Sequence, residues 1–303
     1  MLNKNRNRFT MAVIITLTQL LQISCIETQS LSQGLIGDFI IPYDLYGPAK
    51  TIQLPRALKE ISGIIYYQEG VVLCCEDETG KVYAIDLKTG DILDYFDFGK
   101  KGDYEDLALA PNREKNKYHI YVLRTDTGNL YRINNLGEKN QKEKVFKTFL
   151  KERHNAEGLC YLPEEDILLL ACKNSADKNK SDTDYQNYIY AFDMNDKKTS
   201  KEPYITLDTR IIEKAISPYK LKESPFQPSA IAQRPGTDHL YILSSVNKAL
   251  LIIDKKGNIL NYYSLPAQIF TQPEGISFSP EGELFISNEG KDSSATILYY
   301  SAP

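Results

Sequence analysis

Residues 272–290, QPEGISFSPEGELFISNEG, contain the pattern that decides the fold. An apolar run follows Glu274, a polar turn follows that run, and a second apolar run leads to Asn288 and Glu289. Two short apolar runs that are joined by a turn with Gly or Pro are typical of a β-hairpin. One copy does not show whether Glu274 does more than open a hairpin, but the chain repeats the pattern.

The same beginning occurs four more times upstream, and the five starts are separated by 45, 52, 72 and 45 residues. Each start is followed by an apolar run, a polar turn, a returning run and further strand-like runs. Short strands at even spacing, four in each unit of about 45 residues, are the signature of propeller blades. The five starts are Glu60, Glu105, Glu157, Ser229 and Glu274.

The last unit has three strand-like runs, whereas the segment DFIIPYDLYGPAKTIQLP, residues 38–55, holds a strand that belongs to no unit. We expect this strand to complete the last blade and to close the ring, which leaves no open sheet edge. The sequence therefore predicts an all-β, five-bladed β-propeller of four-stranded blades over residues 38–303. A degenerate sixth blade within residues 208–228 is the alternative, but TRIIEKAI favours a loop with a helical turn.

The first residues predict an export signal. A basic start precedes FTMAVIITLTQLL, an apolar stretch that is too short to span a bilayer comfortably, and QISC follows. We expect residues 1–25 to be a signal peptide of the lipoprotein type with Cys25 acylated, and residues 26–37 to be a linker. The protein would then lie in the cell envelope, held to the lipid bilayer by its anchor on the periplasmic or the surface face. Ordinary secretion and an uncleaved anchor are the alternatives.

Four further cysteines could form disulfides in an exported protein. The hairpin GLCYLPEEDILLLACK places Cys160 opposite Leu169, so Cys172 faces the other side of the sheet. Cys74 and Cys75 are adjacent and also face opposite ways. We interpret the four as small buried apolar residues.

The composition excludes some classes of function. The net charge is −4, so no nucleic-acid-binding surface is expected. The chain has no P-loop and no G-x-S-x-G motif, which would indicate a nucleotide-binding or a serine-hydrolase site.

The repeat predicts a metal site, because the innermost strand of each blade lines the central channel and all five starts would meet at one mouth. Two carboxylates about 6 Å apart repel by roughly 3 kcal/mol at an effective dielectric constant of 20, so crowded acids call for a cation. Oxygen ligands suit Ca²⁺. The predicted ligands are Glu60, Glu105, Glu157 and Glu274. Their predicted neighbours at the mouth are Asp77, Asp126, His154, Asn174, Ser229, Asn288 and Glu289. The alternative is a structural ring that accepts backbone hydrogen bonds.

The segments LKEISGIIYY, EDETGKVYAIDLKTG, KGDYEDLA, AEGLCY, FQPSAIA and FTQPEGISFSPEGELFISNEG together resemble the SdiA-regulated family of bacterial envelope proteins. The resemblance extends from about residue 45 to residue 300. It implies a five-bladed propeller that is distantly related to NHL-repeat proteins and binds calcium. It carries over no enzymatic activity. The motif positions that match are the five starts given above.

Two hypotheses of function follow. In the first, the protein is an envelope-anchored, calcium-binding propeller that acts as a non-catalytic module and binds a protein or glycan. In the second, it is a calcium-assisted hydrolase of a phosphoester, lactone or glycoside, in which a carboxylate of the mouth acts as a base and His154 assists.

Overall fold

The computed structural model describes residues 36–112, 117–134, 143–173, 186–217, 225–291 and 293–303. The predicted signal peptide, Cys25 and Asn174 lie outside these ranges. Within them, the chain forms five antiparallel sheets.

The sheets follow one another along the chain as blades one to five. Blade one contains β2 (Ile61–Gln68), β3 (Val71–Glu76), β4 (Lys81–Asp86) and β5 (Ile92–Asp97). Blade two contains β6 (Tyr104–Asn112), β7 (Lys117–Arg124), β8 (Asn129–Asn134) and β9 (Glu143–Phe146). Blade three contains β10 (Ala156–Leu162), β11 (Ile167–Cys172), β12 (Gln186–Asp193), β13 (Lys198–Thr199) and β14 (Ile205–Asp208). Blade four contains β15 (Ala230–Gln233), β16 (His239–Ser244), β17 (Ala249–Asp254) and β18 (Ile259–Ser264). Blade five contains β19 (Pro273–Phe278), β20 (Leu284–Asn288), β21 (Thr296–Tyr300) and β1 (Lys50–Gln53).

The first strand closes the ring. β1 pairs antiparallel with β21, with Ile52 opposite Ile297, and so becomes the outer strand of blade five. The inner strands β2, β6, β10, β15 and β19 each contact the next, and β19 contacts β2. The predicted five-bladed propeller and its closure by the N-terminal strand are therefore confirmed.

Blade three departs from the simple pattern, because β13 and β14 both pair with β12 and share the outer position. Helix α1 (Thr209–Ile216) follows β14, and the Asp208 side chain caps it by accepting a hydrogen bond from the Arg210 N–H at 3.1 Å. Ile212 and Ile216 pack into the core between blades three and four. The segment that could have held a sixth blade thus forms a helix where the structure describes it. No helix in the described ranges is long and apolar enough to cross a membrane.

The hydrophobic core is divided among the five blade–blade interfaces. Five clusters of buried side chains each join two neighbouring blades, and the one between blades five and one includes Ile52 of the closing strand. Full burial of a Val, Leu or Ile side chain contributes about 1.5–3 kcal/mol. Each blade is therefore held mainly by its two neighbours.

The four cysteines of the described chain are reduced and buried. Cys160 lies opposite Leu169, as the hairpin predicts. Cys160 and Cys172 belong to different core clusters, and so do Cys74 and Cys75. The interpretation of these residues as small apolar core residues is confirmed.

Candidate functional site

A β-bulge at the start of the inner strands explains the repeated glutamate. The pairing register shifts between Tyr104 and Asp106, between Ala156 and Gly158, and between Pro273 and Gly275. In each case the residue that is left out of the ladder is the glutamate, which is Glu105, Glu157 or Glu274. A bulge leaves its extra residue unpaired and redirects the side chain. These three glutamates can therefore meet in the channel although they belong to blades two, three and five.

The glycine that follows the bulged glutamate allows neighbouring inner strands to approach closely. A Cβ atom on Gly158 would lie 2.9 Å from Ile231 Cγ2, and one on Gly275 would lie 2.7 Å from the Ser62 carbonyl oxygen. Blade two has Asp106 at this position, and its Oδ2 accepts a hydrogen bond from the Leu159 N–H of blade three at 2.7 Å. The residue that follows the bulge therefore contacts the neighbouring blade, either by close approach of a glycine or through the hydrogen bond of Asp106.

Blade one does not place Glu60 with the other glutamates. Its register shift lies between Ile61 and Ile64, so Ser62 and Gly63 take the places that Glu and Gly hold in blades three and five. Glu60 precedes β2 and is exposed. Alignment of the repeats on their glycine, rather than on their acid, would have selected Ser62.

Four equivalent backbone hydrogen bonds define the level at which Glu60 lies. The N–H of the residue that follows the second strand donates to a carbonyl just before the inner strand, over 2.8–3.4 Å. The pairs, donor first, are Asp77 with Glu60, Thr125 with Asp103, Lys173 with Asn155, and Glu289 with Gln272. Glu60 therefore corresponds to Asp103, Asn155 and Gln272, further out than the bulged residues.

Lys173 is the central cation of the site, and it was not among the residues predicted from sequence. Its Nζ lies 2.9 Å from Glu157 Oε2, and the two side chains are 17% and 6% exposed. The signal was present, since Lys173 stands at the position that Asp77 and Glu289 occupy in their blades, whereas the prediction selected Asn174. We call Glu105, Glu157, Glu274 and Lys173 the carboxylate–lysine cluster.

Burial and neighbouring charges alter the titration of this cluster. Burial lowers the pKa of Lys173, but Glu157, Glu274 and Glu105 outweigh burial and raise it overall. Burial raises the pKa of Glu157, and Lys173 opposes that rise. The contact between Glu157 and Lys173 therefore favours the charged form of both side chains, against the effect of burial.

The other two glutamates of the cluster hold protons more tightly than free carboxyl groups. Burial, followed by the charges of Glu157 and Asp103, raises the pKa of Glu105 well above its usual range. Burial raises the pKa of Glu274 to about 7, against the opposing charge of Lys173. Glu274 therefore titrates close to pH 7, beside the ion pair of Glu157 with Lys173.

Further acids continue around the mouth from blade five to blade one. Burial, followed by Glu60 and Glu76, raises the pKa of Asp77 to about 7. Gln272 Nε2 donates a hydrogen bond to Glu289 Oε2. Burial and Glu60 raise the pKa of Glu289, while nearby lysines oppose that rise. This side of the mouth is therefore polar as well, and nearby lysines offset part of its negative charge.

Two of the predicted neighbours are engaged in local structure. Asp126 accepts two hydrogen bonds of 2.7 Å from the Arg124 guanidinium, which lowers its pKa. His154 is fully buried, and its Nδ1 accepts a hydrogen bond from the Lys151 N–H at 2.7 Å. Burial also lowers the pKa of His154. His154 therefore stabilises the 3₁₀ turn Glu152–His154.

Two others join elements within or between blades. Ser229 Oγ donates to the Pro273 carbonyl at 3.0 Å, from blade four to blade five. Asn288 Nδ2 donates to the Ile269 carbonyl at 3.1 Å and so holds the segment before β19. Both side chains are almost completely buried.

The residues of the mouth do not fit a calcium ion as they are arranged. In the part of the chain that the structure describes, no group of three or more His, Cys, Asp or Glu side chains could hold a metal ion. Calcium requires six to eight oxygen ligands. The ammonium of Lys173 contacts Glu157 and supplies positive charge that the prediction assigned to calcium. The calcium site stays a prediction from sequence.

The five blades around a channel with an acidic mouth define the protein as a β-propeller. A family model described as SdiA-regulated matches residues 208–291, from the end of blade three into blade five. This match and the propeller together fit an SdiA-regulated β-propeller family, and the resemblance noted in the sequence is confirmed. Among curated proteins, none matches the chain in sequence.

Solved structures share the fold at low sequence identity. Glutaminyl cyclase from Myxococcus xanthus superposes with a TM-score of 0.56 at 13% identity, over 84% of this chain and 95% of that one. The PQQ-bound aldose sugar dehydrogenase from Streptomyces coelicolor gives a TM-score of 0.50 at 10% identity, over 84% and 98%. At such identities the similarity shows the fold alone.

Proposed function

We propose that the protein is a non-catalytic binding module of the cell envelope that holds a polar, hydroxyl-rich ligand such as a glycan at the channel mouth. The observation that carries the proposal is the carboxylate–lysine cluster. Lys173 Nζ lies 2.9 Å from Glu157 Oε2, and burial raises the pKa of Glu105 well above its usual range, so the cluster places hydrogen-bond donors and acceptors side by side.

The chemistry of the mouth supports this class of ligand. Carboxylates accept hydrogen bonds from hydroxyl groups, whereas ammonium groups and protonated carboxyl groups donate them. Acidic residues of the described chain lie close together at the mouth, and lysines lie among them. The acids are Glu60, Asp77, Asp103, Glu105, Glu157, Glu274 and Glu289. Dense, mixed donors and acceptors suit an uncharged polar ligand better than a highly charged one.

Isothermal titration with peptidoglycan fragments and envelope oligosaccharides tests the proposal. We expect wild-type protein to bind at least one of these probes and the Glu157→Gln, Glu274→Gln double variant to bind it at least tenfold more weakly. Glu281→Gln, in an exposed turn, is the matched control. Binding that is equal in all three proteins would contradict a ligand at the mouth.

A hydrolase of a phosphoester, lactone or glycoside is the second candidate, and Glu274 favours it. This half-buried carboxyl group has a pKa of about 7 and can accept or donate a proton near neutral pH. Lys173 would then stabilise negative charge on the substrate. Turnover on panels of these three substrate classes, abolished by Glu274→Gln, would establish this function in place of the first.

We also propose that acylated Cys25 anchors the protein to the bilayer, a proposal that the residues MLNKNRNRFTMAVIITLTQLLQISC support. Metabolic labelling with an alkyne fatty acid should label the wild type and not Cys25→Ser. An unlabelled wild type that is released as a cleaved, soluble protein would indicate ordinary secretion instead.

A further inference from the structure

The end of the channel opposite the carboxylate–lysine cluster opens into a cavity of about 950 Å³. All five inner strands line it, through the halves that lead to the first turn of each blade. Small-molecule sites are typically concave, largely apolar and about 300–1,000 Å³ in volume. We call this feature the axial cavity.

Small side chains at one level of the inner strands create the space. The residue two positions after the bulge glycine, or its equivalent, lines the cavity in every blade. It is small in blades two to five, where it is Ala108, Cys160, Ala232 and Ser277. Protein interiors are otherwise close-packed, so such a layer leaves a void around the axis.

The deeper wall of the cavity is apolar. Leu107, Leu159, Ile231 and Ile276 occupy the level before the small residues, and all four are buried. Tyr161 and Phe278 contribute aromatic surface at the level after the small residues. A ligand that enters would therefore exchange water for apolar contacts.

Polar groups stand on the blade-four side of the lining. Gln233, Asp238 and His239 line the cavity there. His239 packs edge-on against Phe39 with ring centroids 4.7 Å apart, and its Nδ1 is buried without a hydrogen-bond partner in the described chain. A buried polar atom without a partner is costly, and a ligand group could satisfy it. The acid on the blade-three side, Glu164, is already paired with Lys255 at 2.8 Å.

We propose that the axial cavity binds a small, uncharged molecule that has an apolar ring and one hydrogen-bonding group. The volume suits one compact molecule, the wall suits a ring, and His239 suits a single polar substituent. This site lies at the other end of the channel from the mouth and does not depend on the function proposed there.

Fluorescence titration with N-phenyl-1-naphthylamine tests the proposal, since this neutral ring compound brightens in apolar surroundings. We expect saturable binding to the wild type, weakened at least tenfold in Ala232→Leu and in Ala108→Leu, which fill the cavity. Ala191→Leu, away from the cavity lining, is the control for an added leucine. The Glu157→Gln, Glu274→Gln double variant should bind the probe as the wild type does.

A second measurement needs no variant and so does not depend on folding of a substituted protein. Cys160 lines the cavity, whereas Cys172 does not. We expect the probe to slow modification of Cys160 by methyl methanethiosulfonate at least fivefold and to leave Cys172 unchanged, as measured by peptide mass spectrometry.

Three results would overturn the proposal. The first is absence of saturable probe binding, and the second is equal binding by the wild type and by both folded cavity-filling variants. The third is displacement of the probe by dodecanol but not by 2-naphthol, which would assign the cavity to alkyl chains instead of rings.

Discussion

The two ends of one channel differ although the same five strands build both. At the mouth, bulges take Glu105, Glu157 and Glu274 out of the strand ladder and gather them around Lys173. At the other end the pairing of the two innermost strands is regular in blades two to five, and small side chains leave a cavity. Local backbone irregularity therefore decides which end is polar, and the ends can be perturbed separately.

The largest expected loss of stability comes from Lys173→Met, which removes the ion pair at the mouth and leaves Glu157 buried without its partner. Loss of one partner of a buried ion pair costs about 3–5 kcal/mol of unfolding free energy. Urea denaturation at pH 7 measures the loss. Lys255→Met, which removes a surface partner of Glu164, should cost about 1 kcal/mol or less. Equal losses in both variants would show that the buried pair of Lys173 with Glu157 stabilises the fold no more than a surface ion pair does.

The same variant sharpens the choice between lysine and calcium. If Lys173 supplies the positive charge, calcium should leave the melting temperature of the wild type unchanged and raise that of Lys173→Met. A wild-type melting temperature that rises with calcium and falls with EGTA would restore the predicted metal site.

The next effect concerns the close approach of inner strands below the mouth. Gly158→Ala would place a Cβ atom 2.9 Å from Ile231 Cγ2 and 3.0 Å from the Ile231 nitrogen. Overpacking of this kind costs about 1–3 kcal/mol. Ala232→Leu, which extends into the axial cavity, should cost less, and a comparison of the two denaturation midpoints checks this order. A larger loss for Ala232→Leu than for Gly158→Ala would show that the cavity end tolerates added side-chain volume less well than the inner strands below the mouth.

The stability of the mouth, unlike that of the cavity end, should depend on pH through Glu274. The pKa of Glu274 is about 7 in the folded protein and about 4.3 in an unfolded chain, so the folded state binds more protons between these values. Its contribution is therefore present at low pH and is lost as pH rises through 7. Glu274→Gln should flatten this fall, measured as the melting temperature between pH 4.5 and 7.5. Glu281→Gln is the control, and an unchanged slope in Glu274→Gln would contradict the assignment.

The smallest effect compares one hydroxyl at each end. Ser229 Oγ donates to the Pro273 carbonyl near the mouth, and Ser277 Oγ accepts from the Tyr66 N–H beside the cavity at 2.8 Å. Each Ser→Ala change should cost about 1 kcal/mol. The two losses should be similar, because each bond joins neighbouring blades. Thermal unfolding of both variants provides the measurement, and a loss at one end only would show that the ring is held unevenly.

The fold was predictable because a strand repeat of about 45 residues leaves few alternatives. The site was predictable only in part. Sequence showed that the glutamates recur, but Glu60 and Glu274 look equivalent until the bulge is located by Gly63 and Gly275. Lys173 was missed because a lysine that follows a strand resembles a solvated charge. The cavity depends on small residues in four separate strands, which no single motif reveals.

The pairing of β1 with β21 also has a consequence for how the protein folds. Ile52 and Ile297 meet only when almost the whole chain is available, so the last step of folding joins the most distant segments. Contacts of such high sequence separation slow folding. Until closure, the outer edge of β21 stays unpaired and could recruit another strand. We therefore expect a slow final folding phase, and a chain that requires protection from aggregation until its first strand docks.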